Sequence, residues 1–405
     1  MTALEERLRT ELPQLASGLM GEAETVIEAV PSPTSIGHAP AVPRRRVLVG
    51  TAAAAAAAVG VLGAGWWLSS DRTTSPLETS AGPAGFGSWR PIADAPIPPR
   101  EGGAAVWNGE TAVFWAGRTG YGEAVSALRS GAFYDPVTDS WDRADTPSVT
   151  HPDVAAALAV GDEVFAVTKG SLLRVNLRDG SFVEPPEVSV VLFSIVEVNG
   201  RLWGVGSERW PVGQSGPDFV SFAEYLPDSN EWGPVMHLKA PAGSTVASLG
   251  NQFVSCDGDS NCVIVDPTRP NEPAIRFLSG PTSVDLPISA VVGNTIVALA
   301  LASKDGRTAE VYRADGETWE PLDMVPTGDF GEVTLAAAGD WLVVVSPDQP
   351  PVAMDVASGE WHQFDDWPMT GVRNPSTVWT GTQLIVWGGL ESEGSEGAIW
   401  TPPAS

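Results

Sequence analysis

The chain has 405 residues, with 50 acidic against 23 basic side chains and a formal net charge of -27. A surface this acidic repels a phosphate backbone, so nucleic acid is excluded as a partner. The 4 histidines and 2 cysteines show no spacing typical of metal ligands, so no metal and no cofactor is expected.

Residues 1–43 are predicted to form a short cytoplasmic tail. Thr2-Ala3-Leu4-Glu5 matches a capping box, and leucines follow at helical spacing until Pro13, which indicates a short amphipathic helix. Two interpretations stay open: a marginal helix without a partner, or a docking helix for a cytoplasmic partner.

Residues 44–70 are predicted to be a basic flank and one transmembrane helix. Arg44-Arg45-Arg46 precedes 22 uncharged positions, Val47 to Leu68, and about 20 apolar residues are needed to cross a bilayer. The basic flank favours a cytoplasmic N-terminus and an extracytoplasmic remainder. The alternative is a twin-arginine export signal, because Arg44-Arg45-Arg46-Val47-Leu48 resembles that motif. Both interpretations export the rest of the chain, which a linker at residues 71–87 joins to the span.

Seven short turn signals recur along the rest of the chain, each with a strand-like apolar run on either side. The glycines are 52, 39, 50, 43, 46 and 42 residues apart. A period in the forties with hairpin chemistry in every unit is typical of a β-propeller. The seven signals are Asn108-Gly109, Gly161-Asp162, Asn199-Gly200, Gly250-Asn251, Gly293-Asn294, Gly339-Asp340 and Gly381-Thr382.

The two ends of this region are predicted to share a blade. Trp89-Arg90-Pro91-Ile92 looks like a fourth strand without a preceding three, whereas the last unit supplies only three strands. The prediction is therefore an all-β fold over residues 88–405, a seven-bladed propeller closed by an N-terminal strand, which leaves no open sheet edge at the closure. Inner strands are expected near residues 104, 155, 190, 245, 288, 333 and 376.

Several units carry the residues of a known repeat. The best copies are Arg100 with Trp115-Ala116-Gly117, Tyr134-Asp135 and Trp141, and Arg373 with Trp387-Gly388-Gly389. Over residues 86–402 this pattern resembles the kelch repeat and the propeller of galactose oxidase. The resemblance implies the fold, and it leaves the ligand open, since kelch-like propellers include binding platforms and carbohydrate-active proteins. The residues of the galactose oxidase copper site have no matching set here.

Cys256 and Cys262 lie in the loop between the second and third strands of the fourth unit. An even pair in an exported domain predicts a disulfide. A loop this small gains about 2–3 kcal/mol by the chain-entropy estimate. The disulfide is therefore expected to act as a local staple.

The ligand face is predicted from loop length. Connections between second and third strands, and between blades, are longer than the tight turns on the opposite face, and loops on a rigid scaffold usually carry binding. The candidate binding residues on these loops are Arg118, Tyr121, Arg209, Trp210 and Asp218.

The function expected from these features is a binding or scaffolding module for an envelope protein or a glycan. The alternatives are a carbohydrate-active envelope enzyme and a sensor that couples an external ligand to the tail. A pair of carboxylates about 5–10 Å apart in a concave pocket would favour the enzyme.

Overall fold

The computed structural model describes most of the chain after residue 85. The described residues are 86–120, 126–145, 154–208, 219–240, 245–257, 261–269, 274–279, 285–301, 308–315, 318–326, 333–347, 349–364, 366–390, 393–394 and 396–403. Among them no helix is long and apolar enough to cross a bilayer. The predicted tail and span lie outside these residues.

The described chain is all β, and its strands, numbered in chain order, form seven antiparallel sheets of four or five strands and two two-stranded ribbons. β1 (Trp89–Pro91) belongs to the last of them. Blade 1 contains β2 (Ala104–Trp107), β3 (Ala112–Trp115), β6 (Gly131–Asp135) and β7 (Ser140–Ala144), with a ribbon of β4 (Arg118–Thr119) and β5 (Ser126–Ala127) between its second and third strands. Blade 2 contains β8 (Ala156–Val160), β9 (Glu163–Thr168), β10 (Ser171–Asn176) and β11 (Phe182–Val183).

The middle blades follow the same order. Blade 3 contains β12 (Val190–Val198), β13 (Arg201–Glu208), β14 (Phe219–Leu226) and β15 (Glu231–Trp232), and β16 (Met236–Lys239) also pairs with β14. Blade 4 contains β17 (Thr245–Leu249), β18 (Gln252–Cys256), β19 (Cys262–Asp266) and β20 (Ala274–Leu278). Blade 5 contains β21 (Asp285–Val292), β22 (Thr295–Leu301), β23 (Thr308–Asp315) and β24 (Thr318–Pro326).

The last two blades complete a ring. Blade 6 contains β25 (Thr334–Ala338), β26 (Trp341–Ser346), β27 (Gln349–Asp355) and β28 (Trp361–Gln363). Blade 7 contains β30 (Ser376–Trp379), β31 (Leu384–Trp387), β33 (Gly397–Trp400) and β1, and β29 (Met369–Thr370) pairs with β32 (Glu393–Gly394) beside it. Each inner strand contacts the next, and β30 contacts β2. The chain is therefore a seven-bladed β-propeller, as the turn spacing predicts.

The core lies between the blades, where apolar side chains from neighbouring sheets pack together. Trp115, Trp387 and Trp400 are fully buried, and large buried aromatic side chains contribute strongly to such interfaces. The fourth strands differ in how far their aromatic side chains are buried. Trp141, Trp319 and Trp361 pack against the core, whereas Phe182 is 44% exposed and Phe277 is 47% exposed.

Two turns between third and fourth strands repeat the same local design. The Tyr134 hydroxyl donates to Asp139 Oδ1 at 2.7 Å in blade 1, and the Tyr225 hydroxyl donates to Asn230 Oδ1 at 2.7 Å in blade 3. Asp139 and Asn230 both adopt left-handed backbone conformations, with φ of 50° and 54°, which Asp and Asn tolerate better than most residues. In these two blades the turn therefore ties the start of the fourth strand to the third strand.

The predicted disulfide is confirmed. Cys256 at the end of β18 is bonded to Cys262 at the start of β19, and both residues are buried. The two cysteines face each other in the strand register. The bond therefore closes the hairpin at its loop end.

Candidate ligand-binding site

A cavity of about 290 Å³ lies at one mouth of the central channel. Its wall is formed where inner strands of blades 1, 2, 5, 6 and 7 begin. Because the strands alternate in direction, this mouth is on the face that carries the blade-to-blade connections and the loops between second and third strands. The wall consists mainly of small side chains: Ala104, Ala105, Ala155, Ala156, Ala157, Ser289, Ala290, Thr334, Ser376 and Thr377.

A polar group stands at the rim of this cavity. Arg118 Nε donates to Glu101 Oε1 at 2.8 Å. Asn374 Nδ2 donates to the other carboxylate oxygen, Glu101 Oε2, at 3.1 Å. The Glu101 side chain is only 10% exposed, whereas the Arg118 side chain is 49% exposed. The buried carboxylate thus anchors a guanidinium that remains open to solvent.

The backbone fixes the positions of this pair. Glu101 N donates to Arg118 O at 3.0 Å, and Arg118 N donates to Glu101 O at 2.9 Å. This isolated bridge holds the segment that enters β2 against the segment that leaves β3. Gly117 makes the close approach feasible, since it has φ of 90° and an added Cβ would lie 2.7 Å from Glu101 O.

Asn374 contributes a second unusual feature. It has φ of 49°, a left-handed conformation for a residue with a side chain. Its Oδ1 atom is buried and has no hydrogen-bond partner among the described residues. Buried polar atoms are rarely left without a partner, and this one is closed off from the cavity as well as from solvent.

Arg100 supports the site from behind without lining the cavity. It is 1% exposed, and its Nη1 atom donates to Ala116 O at 2.9 Å and to Ser130 O at 2.7 Å. Burial lowers the pKa of Arg100 to about 10, so the guanidinium is still charged at neutral pH. Arg100 is a structural residue that ties the β2 entry to the loop after β3.

The structure locates one of the five residues predicted from loop length. Arg118 lines the cavity. Tyr121, Arg209, Trp210 and Asp218 lie outside the described residues. The sequence analysis missed Glu101 and Asn374, although each precedes the first strand of a blade and is therefore placed at the channel mouth.

The chemistry of the wall suits binding. Among the described residues that line the cavity, Glu101 is the one carboxylate, and its two oxygens are held by Arg118 and Asn374. Hydrolysis of a glycosidic bond generally needs two carboxyl groups, one of them free to donate a proton. The described wall instead offers a guanidinium, hydroxyls and an amide, which are groups that recognise a polar ligand.

The fold and this cavity define the class of protein: a seven-bladed β-propeller with a polar site at one mouth of its channel. No family model matches the chain, and no curated protein matches it. Among solved structures, the chain is similar to an oligogalacturonate lyase in complex with manganese, at 12% identity and a TM-score of 0.49. That similarity covers 81% of this chain and 96% of the other.

Proposed function

We propose that the protein is a membrane-anchored, kelch-like binding module that recognises a glycan or an envelope protein outside the cytoplasm. The observation that carries this proposal is the cavity at the channel mouth, where Glu101, Arg118 and Asn374 present polar groups beside a wall of small residues. Concave sites with a few well-placed polar groups are the usual form of ligand sites. A volume of about 290 Å³ suits one sugar unit or one side chain of a partner.

The proposed location rests on two features in different parts of the chain. The uncharged segment Val47 to Leu68 follows three arginines, which favours a span with a cytoplasmic N-terminus. The Cys256–Cys262 disulfide is typical of an oxidising compartment. Export through the twin-arginine pathway is the alternative route, and it delivers the propeller to the same side.

Two glycines allow a matched test of the binding face. Gly102 lines the cavity with φ of 65°, Gly161 lies in the β8–β9 turn on the opposite face with φ of 59°, and an added Cβ would meet nothing within 4 Å at either position. Asparagine tolerates this conformation. Gly102→Asn therefore fills the mouth of the channel, and Gly161→Asn is its control.

Binding of the full-length protein is measured on a glycan array and, in cells, by cross-linking to envelope proteins. Glycan or protein signals of the wild type should be lost in Gly102→Asn and kept in Gly161→Asn. If the signals survive in Gly102→Asn, or if the wild type gives none in either assay, binding at the channel mouth is refuted.

A further inference from the structure

The guanidinium of Arg118 has unused donors. Within the described residues its side chain makes one hydrogen bond, from Nε to Glu101, so Nη1 and Nη2 have no protein acceptor there. The side chain is 49% exposed and lines the cavity. A ligand in the cavity is therefore close to a charged guanidinium whose Nη1 and Nη2 donors are not engaged by the described residues.

The position of this guanidinium is fixed before any ligand arrives. Glu101 holds Nε, Asn374 holds Glu101, and two backbone hydrogen bonds join the segments of Glu101 and Arg118. A planar fork that is already oriented loses little entropy when it binds, and its two parallel donors match the two oxygens of a carboxylate or phosphate.

Charge distinguishes between those two groups. The Glu101 carboxylate already offsets the positive charge of Arg118, and the whole chain carries a net charge of -27. Both repel an anionic ligand, and they repel a dianionic phosphate about twice as strongly as a carboxylate with a single charge. Around it, the hydroxyls of Ser289, Thr334, Ser376 and Thr377 line the same wall and suit a ligand that carries hydroxyls.

We infer that the cavity binds a small polyhydroxylated molecule with one carboxylate group, which accepts hydrogen bonds from Arg118 Nη1 and Nη2. This inference rests on the proposed function and adds the chemical class of its ligand.

The probes are D-gluconate and its neutral counterpart D-glucitol, titrated into the full-length protein by calorimetry. D-Gluconate should bind at least about tenfold more tightly than D-glucitol, because hydrogen bonds to a charged group are worth about 1.5–3 kcal/mol. Arg118→Gln should remove that preference. Arg118→Lys should keep part of it, since lysine retains the charge but not the fork.

Arg178→Gln is the matched control. Arg178 Nε donates to Asp162 Oδ1 at 2.7 Å, and its side chain is 48% exposed, but it lies on the opposite face of the propeller. The control should bind D-gluconate like the wild type. Circular dichroism of each variant checks that the fold is retained.

Each contrary result has a distinct meaning. Equal binding of the two probes, or an Arg118→Gln variant that keeps the preference, would show that Arg118 does not recognise a carboxylate group on the ligand. Displacement of D-gluconate by equimolar inorganic phosphate overturns the choice of carboxylate over phosphate. Absence of D-gluconate binding also overturns the inference, while the proposed function still stands or falls by the Gly102→Asn test.

Discussion

Blades 1 and 7 contain the same backbone device with different side chains. In blade 1, Glu101 and Arg118 form an isolated bridge through two mutual backbone hydrogen bonds. In blade 7, Arg373 and Leu390 form the equivalent bridge through the same pair of bonds. The blade 1 pair is an ion pair at the cavity rim, whereas Leu390 is 6% exposed and packs into the protein.

This difference distinguishes the backbone bridge, which belongs to the fold, from the side chains, which form the candidate site in blade 1 only. A bridge at this position holds the segment before an inner strand against the segment after the second strand, and its backbone geometry is the same in these two blades. The side chains are not constrained by that geometry. The blade 7 bridge has a buried leucine at the position where the blade 1 bridge presents Arg118 to the cavity.

The largest expected effect comes from the glycines that permit both bridges. Gly117 and Gly389 have φ of 90° and 88°, and an added Cβ would lie 2.7 Å from Glu101 O and Arg373 O respectively. Gly117→Ala and Gly389→Ala should each lower the free energy of unfolding by about 2–4 kcal/mol, because left-handed strain and steric overlap add. Urea unfolding measures both.

Gly102→Ala is the control for strain alone, since φ is 65° and no atom lies within 4 Å of an added Cβ. It should lower the free energy of unfolding by only about 1 kcal/mol. A loss in Gly117→Ala no larger than in Gly102→Ala would show that the bridge does not need a glycine.

The next variant gives blade 1 the side chains of blade 7. Glu101→Arg with Arg118→Leu removes the ion pair and keeps the backbone bridge. Binding of D-gluconate should fall by at least about tenfold, while the free energy of unfolding should fall by about 1–3 kcal/mol, because the Glu101 side chain is only 10% exposed and Asn374 Nδ2 loses its acceptor. Calorimetry and urea unfolding together test this. A large loss of stability with unchanged binding would reverse the assignment of scaffold and site.

The smallest expected effect is in the paired turns of blades 1 and 3. Although burial by itself would raise the pKa of Asp139, hydrogen bonds from Tyr134 and the Ala93 amide, with nearby Arg90, hold that pKa below its usual value. Asp139→Asn copies Asn230 of blade 3 and should lower the free energy of unfolding at pH 7 by about 0.5 kcal/mol, given that Asp139 is 44% exposed and its interactions are screened.

The pH dependence gives the sign of this effect. A carboxyl group with a lowered folded pKa stabilises the protein above its unfolded pKa, near 3.8, and this stabilisation is lost as the pH falls through the folded value. Unfolding of wild type and Asp139→Asn should therefore differ at pH 7 and converge on acidification. A difference that grows towards low pH would contradict this role for Asp139.

The sequence predicts the seven blades because each turn is encoded locally. Turn pairs such as Asn108-Gly109 need only two neighbouring residues to reverse the chain, and the predicted starts of inner strands at 104, 190, 245 and 376 agree with the observed strands. The disulfide is predictable for the same reason, since Cys256 and Cys262 are six positions apart.

The site was predicted only in part because it joins distant segments. Arg118 follows from loop length, but Glu101 gains its role from a bridge to Arg118, and Asn374 reaches Glu101 from 273 positions away. Such a contact depends on ring closure between blades 7 and 1. The sequence pattern places Glu101 and Asn374 before inner strands, but it does not indicate that they touch.

The central claim is that the blade 1 pair forms the ligand site at the channel mouth. A crystal structure of the full-length protein grown with D-gluconate tests it most directly. The account predicts the D-gluconate carboxylate within hydrogen-bond distance, about 2.7–3.2 Å, of Arg118 Nη1 and Nη2, with the polyol in the cavity. D-Gluconate bound elsewhere, with the guanidinium of Arg118 unengaged, would contradict it.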